Sequence, residues 1–533
     1  MRLLASVLIC AGLICAGGVV WAAGPVTYER LLKAGDEPGN WLMYSGNYES
    51  HRYSRLDQIT PENVNRLHLK WVYQMQTTHH VETTPLVVDG IMYATGPVND
   101  VVALDTETGR TLWFYHYPVP EKVYTCCGQV NRGLAILGDR LFMTTVDAKV
   151  IALDAKSGRL LWKTAQADYE TGYAGTAAPL IAKDKVIVGI AGGEYGIRGF
   201  VDAYDAATGK RAWRFNTIPA PGEPHFGTWE GESWKTGGGS TWTTGSYDPN
   251  LNLTYWGTGN PGPDWNDDHR AGDNLFTSSM VAIDVDTGKL KWYFQYTPHD
   301  THDWDATQIP VLADLVFRGQ QRKLLLHPNR NGFYYVLDRS TGEYLMAKPY
   351  VKQTWAKGID ANGRPILIPD TSPTEAGRAV WPGTDGGLNW FSPSYSPKTG
   401  LLYVPAREKS EIYFKTVAVY KPGSSFGGGG GKDNPEDPGS GVILGMEPET
   451  GNIRWTHRMK TAPWSGVLST AGNLVFGSTM EGNFFALDAR TGKDLWHFPG
   501  NQVSYANPIS YLSKGRQQVA IAIGDILMAF GLD

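Results

Sequence analysis

One eleven-residue pattern recurs along most of this chain and restricts what it can fold into. Its clearest form is Ala152-Leu-Asp154-Ala-Lys-Ser-Gly158-Arg-Leu-Leu-Trp162. Copies occupy 103–113, 203–213, 282–292, 445–455 and 486–496, with the acid, the glycine and the tryptophan at constant spacing, and weaker copies lie at 336–342 and 395–400. An alternating apolar strand ends at Asp or Glu, a Ser/Thr-Gly pair supplies a turn residue that tolerates positive φ, and a second strand returns carrying Trp. That is a β-hairpin. The interval between copies, about 40 to 80 residues, holds a four-stranded unit with insertions, which is the period of a propeller or solenoid. One tryptophan per unit fills the space between neighbouring sheets and carries a single N–H donor. The expected fold class is therefore all-β: an eight-bladed β-propeller with tryptophan-docking repeats, one blade per copy.

Composition places the chain outside the cell's reducing interior. Met1-Arg2 precedes an apolar run from Leu3 to Val20 that ends in Val20-Trp21-Ala22, so residues 1–22 read as a signal peptide and 23–533 as the propeller domain. The competing reading is a retained membrane anchor. After cleavage no membrane span is expected and the location is the periplasm. Of four cysteines, Cys10 and Cys15 fall in the leader, which leaves only Cys126 and Cys127 in the mature chain. A net charge of −5 without a long basic run argues against nucleic acid as a partner. The Gly-rich run 426–431 reads as a flexible surface excursion. No C-x-x-C-H motif occurs, so the chain holds no haem c site of its own.

Two groups of residues carry chemistry. Cys126 and Cys127 are adjacent, and each pairs with the other or stays free. Bridged, their Cα atoms stand about 3.8 Å apart, below the usual disulfide window of about 4.4 to 6.8 Å. A flat apolar ring of that kind is a stacking surface. The second group is a scatter of oxygen donors: Glu194 among glycines, Asn260 in Gly257-Thr-Gly-Asn-Pro, and the acidic run Asp300-Thr-His-Asp303-Trp-Asp305. Hard cations take such ligands. Singly, each is more often a turn or capping residue.

Together with the repeats, Thr125-Cys-Cys-Gly-Gln-Val-Asn-Arg132, Gly-Gly-Glu194, Gly-Gly-Gly-Ser240-Thr-Trp242 and the Asp303 cluster make the chain resemble the pyrroloquinoline quinone (PQQ)-dependent alcohol dehydrogenases, the quinoproteins that include methanol and ethanol dehydrogenases. The resemblance covers nearly everything after the leader. It implies PQQ held between the Cys126–Cys127 ring and Trp242. It further implies that Glu82, Arg132, Thr176, Gly192, Gly193, Ser240, Asn389 and Trp464 grip the cofactor, with Arg330 beside its carbonyls. Glu194, Asn260, Asp303 and Asp305 become the metal ligands. Two departures stand out: Ala191 where relatives often carry Ser, and Ser240 where several carry Thr.

By the same resemblance, the reaction is oxidation of a small, primary alcohol to the aldehyde. Asp303 takes the alcohol proton as hydride passes to the quinone, Arg330 steadies developing negative charge, and electrons leave to a soluble cytochrome c. Asp305 matches the lanthanide-type members, so a lanthanide(III) is favoured over Ca²⁺. Trp265 is expected to narrow the entrance. The alternatives are a non-enzymatic propeller scaffold of the outer-membrane assembly type and a sugar or polyol quinoprotein dehydrogenase. The sequence leaves the oligomeric state open, a homodimer included.

Overall fold

The computed structural model describes residues 24–77 and 79–533, so the leader expected at 1–22 lies outside the described residues. Each full copy of the repeat is a hairpin of the expected kind. In the copy at 152–162, Asp154 Oδ1 accepts from the Ser157 N–H and hydroxyl at 2.9 and 2.7 Å, and Gly158 N–H closes back on Asp154 O at 2.8 Å. Gly158 stands at φ +71°, and the strand register slips by one residue between Leu160 and Trp162. That left-handed glycine followed by a bulge is what a short twisted hairpin requires.

The tryptophans of the hairpins, and Trp71 of the strand His68–Gln74, reach the next unit. Trp71, Trp113, Trp162, Trp213, Trp292 and Trp455 donate their indole N–H to the carbonyls of Thr106, Ala155, Ala206, Val285, Arg339 and Ala489. Their rings lie on the turn glycines there. A Cβ on Gly158 would sit 2.6 Å from the Trp113 ring, and one on Gly492 2.4 Å from Trp455. The glycine is thus required twice, by its backbone angle and by its neighbour. Across each hairpin the partner of Trp is small: Trp162 pairs with Ala152, Trp213 with Ala203, Trp292 with Ala282 and Trp455 with Gly445. Space for the indole comes from that residue. In the weak copy at 336–342 both members change, and Met346 faces Val336.

Among the described residues the strands form eight sheets of four or five strands and two smaller ones. The sheet containing Ile509–Ser513, Arg516–Ile523 and Ile526–Gly531 is completed by His68–Gln74, which pairs antiparallel with the last of them. Trp496, from the preceding sheet, donates to Leu67 O at 3.2 Å and so docks on the N-terminal side of the chain. Strands distant in sequence thus complete one sheet. Copies and sheets do not correspond one to one, however. The pattern at 395–400 and that at 445–455 share one sheet, while the closing sheet contains no copy. The Gly-rich run is no loose excursion either: Gly429–Asp433 is a strand paired with Glu411–Lys415. Its glycines lie so close to Trp265, Asn266 and Phe414 that larger side chains would collide. No described helix is long and apolar enough to cross a membrane.

Candidate active site

Loops from successive sheets meet around a cavity of about 410 Å³. Its wall contains Glu82, Cys126, Cys127, Arg132, Thr176, Gly192, Glu194, Trp242, Asp303, Asp305, Arg330, Asn389 and Trp464, all expected from the sequence. Cys126 and Cys127 are joined as a disulfide with Cα atoms 3.8 Å apart and are exposed. Gly193, Ser240 and Asn260 stand behind the wall: a Cβ on Gly193 would be 3.1 Å from Ser240 Oγ and 3.8 Å from Asn260 Oδ1. Trp464 is not a docking tryptophan. It lies under the Arg407 guanidinium, 4.2 Å from its ring centre, and edge-on to Phe391.

The acidic segment is held by alternation. Asp300 accepts from the His302 and Trp304 N–H groups at 3.1 and 2.8 Å, which fixes the bend. His302 and Trp304 stack on each other inward, with His302 on Thr371 O and the Trp304 indole on Gly383 O. Asp303 and Asp305 both line the cavity. Asp303 has φ +60°, a strained setting that Asp tolerates better than most residues and that clusters at functional sites.

Asp305 is the hub. Its Oδ2 accepts from the Trp242 indole at 2.9 Å and pairs with Arg330 Nη1 at 2.7 Å, and its Oδ1 accepts from Asn260 N–H at 2.7 Å. Arg330 also reaches Asp303 at 3.4 Å and donates through Nε to Thr384 O at 2.6 Å. Gly386 makes room for it, since a Cβ there would meet Arg330 Cγ at 2.1 Å. Opposite, Arg132 pairs with Glu82 at 2.7 Å, donates to Thr176 Oγ1 at 2.9 Å and lies 4.9 and 4.7 Å from the Trp242 and Trp390 ring centres.

Burial makes this an uncomfortable set of charges. It pushes Glu194 up to about 7, with Asp305 adding repulsion, and Asp264 up to about 8, with Glu194 and Asp305 adding more. Asp303 is raised well above the carboxylate range by burial; Arg330 opposes the shift and the surrounding carboxylates reinforce it. Among the described residues no three His, Cys, Asp or Glu side chains are drawn together tightly enough to form a finished ion site. The donor chemistry nonetheless fits a hard cation, because Glu194, Asp303 and Asp305 bring three carboxylates to one cavity wall with the Asn260 amide behind it.

Several cavity residues were not anticipated. His80 stacks on Tyr505 with ring centres 4.2 Å apart, and Tyr124, Asp385 and Trp390 complete the wall. Tyr124 adjoins the cysteine motif and Asp385 lies four residues before Asn389, so proximity to a motif was a usable signal for both. His80 lies two residues before Glu82 and carries the same signal, whereas Tyr505 carries none. Trp265 does not narrow the entrance. It is absent from the cavity wall and packs under Gly427, whose carbonyl accepts from its backbone N–H at 3.0 Å.

The family model for the glucose/ethanol/alcohol dehydrogenase β-propeller domain with PQQ matches residues 41–350 and 441–519. This chain is a PQQ-dependent alcohol dehydrogenase of that family. It is 41% identical over 520 residues to the quinohemoprotein alcohol dehydrogenase ADH IIB of Pseudomonas putida, covering 93% of this chain and 75% of that one. A lanthanide-dependent methanol dehydrogenase of Methylacidiphilum fumariolicum is 39% identical over 537 residues, covering 95% and 87%. The structure of a europium-containing methanol dehydrogenase superposes with a TM-score of 0.90 at 36% identity, covering 95% of this chain and all of that one.

Proposed function

We propose that this quinoprotein oxidises a small primary alcohol to its aldehyde with Asp303 as proton acceptor, a lanthanide(III) in preference to Ca²⁺, and a soluble cytochrome c as electron acceptor in the periplasm. The observation that carries the reading is one cavity that joins the Cys126–Cys127 disulfide and Trp242 to Glu194, Asp303, Asp305 and Arg330. Eight sheets of four or five strands support an eight-bladed ring.

Bound PQQ supplies the two-electron acceptor and a bound cation supplies Lewis acidity. The disulfide and the Trp242 ring offer two flat surfaces for a planar cofactor. Arg132 and Thr176 supply donors for its carboxylates, Asn389 adds an amide, and Glu82 keeps Arg132 in place. Glu194, Asn260, Asp303 and Asp305 are the assigned metal ligands. Asp303 holds the transferred proton on its carboxylate, a role open to it only when the like charges around it are neutralised. Arg330, pinned by Thr384 O and Gly386, sets positive charge where oxygen becomes negative.

Sugar or polyol oxidation is the second reading, and the vicinal disulfide favours the alcohol branch. The decisive experiment is to reconstitute purified apoprotein with PQQ and either Ca²⁺ or La³⁺ and assay dye reduction with a panel of alcohols and sugars. Alcohol-dependent turnover with La³⁺ that exceeds turnover with Ca²⁺ supports the substrate, the cofactor and the metal preference. Turnover only with Ca²⁺ removes the metal preference, turnover only with sugars removes the substrate, and absence of PQQ binding removes the enzyme.

A further inference from the structure

The loop 416–428 joins the paired strands Glu411–Lys415 and Gly429–Asp433, and its ends close on each other, with Thr416 N–H donating to Gly428 O at 2.9 Å. A loop with adjoining ends is free to stand away from the body of a protein. This one lies across three segments of the site instead. At the first, Gly423 packs beside the cysteine motif: a Cβ there would stand 3.0 Å from the Tyr124 ring and 2.5 Å from Glu170 O. At the second, Phe426 N–H donates to Glu194 O at 2.7 Å. The Tyr420 and Phe426 rings, at 81° to each other, also close over Gly196, where a Cβ would meet them at 3.0 and 2.9 Å. At the third, Gly427 O accepts from Trp265 N–H at 3.0 Å, and Thr416 O accepts from the Asn266 amide at 2.8 Å.

Glu194 is the residue that this arrangement serves most directly. It stands in the short turn Gly193–Tyr195, between Gly192 at φ +116° and Gly196 at φ +65°. Glycines on both flanks let the backbone of such a turn swing more easily than any other residue would. On one side the turn is held by Ala191, whose N–H donates to Ala174 O at 2.7 Å, and by the close approach of Gly192 to Gly172 O. On the other side the loop 416–428 holds it, through the Phe426 N–H and the two rings over Gly196.

We propose that the loop 416–428 is a clamp that positions Glu194: by bonding to the Glu194 carbonyl and closing over Gly196, it fixes the turn that aims this carboxylate into the cavity, with Phe426 as the positioning residue. The proposal rests on the assignment of Glu194 as a metal ligand given above. A turn ordered before the ion arrives spares the ion the cost of ordering it, so the clamp tightens binding without touching the ion. The coupling is reciprocal, and an ion on Glu194 steadies the clamp.

The test uses the full chain and two variants. One replaces 417–427 by Asn-Gly, a two-residue turn suited to strand ends that already pair; the other is Phe426→Pro, which removes the N–H. In hydrogen exchange of the metal-free proteins, peptides spanning 191–198 should exchange about tenfold faster in both variants, while the docking hairpin at 152–162 keeps its wild-type rate. Tryptophan-sensitised Tb³⁺ emission should show binding weakened by about tenfold. Decay rates in H₂O and D₂O should show about one additional water on the bound ion, the mark of a carboxylate moved away from it. In the wild type, La³⁺ should slow exchange across 416–428. Unchanged exchange at 191–198, unchanged Tb³⁺ affinity and hydration, or no effect of La³⁺ on the loop would each overturn the proposal. Faster exchange at 152–162 as well, with a lower melting temperature, would overturn it by making the loop a support of the whole fold. Failure of the wild-type chain to bind Tb³⁺ would remove the metal assignment itself, an outcome seen before either variant is made.

Discussion

Asp154 and Asp264 are aspartates of one chain held in opposite ways. Asp154, in a docking turn, accepts from the Ser157 hydroxyl and from two backbone N–H groups, and those bonds hold its pKa below the ordinary value. Asp205 repeats this with Thr208. Asp264 has no partner, and burial drives it the other way, up to about 8. Local hydrogen bonds complete the turns as soon as the chain folds. The cavity carboxylates, by contrast, are left uncompensated by the protein and are completed only by something that is not protein.

That contrast predicts that changes in the cavity cost activity and changes in the turns cost stability. The largest effect belongs to Asp303→Asn: alcohol-dependent dye reduction should fall by about a thousandfold, with PQQ binding retained and the melting temperature of the metal-free protein no lower. A large loss of melting temperature would break the distinction. Next is Gly158→Val, which places a branched side chain at φ +71° with its Cβ 2.6 Å from the Trp113 ring. It should cost about 3 kcal/mol in urea unfolding while the folded fraction keeps its kcat.

The third prediction concerns pH. Glu194 and Asp264 rise on folding from 4.5 to about 7 and from 3.8 to about 8. Between roughly pH 4 and pH 8 the folded state therefore binds more protons than the unfolded one, so its stability is fullest below the unfolded pKa and is lost as pH rises through the folded values. Metal-free protein should lose several kcal/mol across that window, with about 9 kcal/mol as the upper bound set by the two shifts, by denaturant titration at several pH values. Saturating La³⁺ should flatten the slope. The smallest effect is Trp162→Phe, which keeps the ring but leaves Ala206 O without its donor, at a cost of about 1 kcal/mol and no change in kcat.

The fold was legible because its repeat is local: acid, hydroxyl, glycine and tryptophan lie within one hairpin, and their reasons for being there extend only to the next. Sheet number was harder to read, since the turn at 395–400 looks like a unit of its own yet belongs to the sheet that also contains 445–455. Thirteen expected residues line the cavity: some sit in motifs with unusual chemistry, such as Cys126, Cys127, Glu194 and Asp303, whereas Glu82, Thr176, Asn389 and Trp464 were expected only from the family resemblance. His80 and Tyr505 escaped because nothing in either segment says that the two rings meet. Nothing in the sequence sets Asp264 apart from its neighbours, and only burial reveals it as a carboxyl without a hydrogen-bond partner. Trp265 misled for a related reason: an aromatic in a glycine-proline loop gives no hint of which side it packs on.

The pairing of His68–Gln74 with Ile526–Gly531 also orders events in time. A ribosome delivers residue 74 long before residue 526, so the outer strand of the closing sheet has no partner until that distant segment is available. Contacts this distant in sequence form late, and unpaired edges attract other chains. The ring therefore cannot be shut by its early sheets however well they dock. The strand Ile526–Gly531 acts as the latch, and any pause before it pairs leaves the propeller unclosed and open to the wrong neighbour.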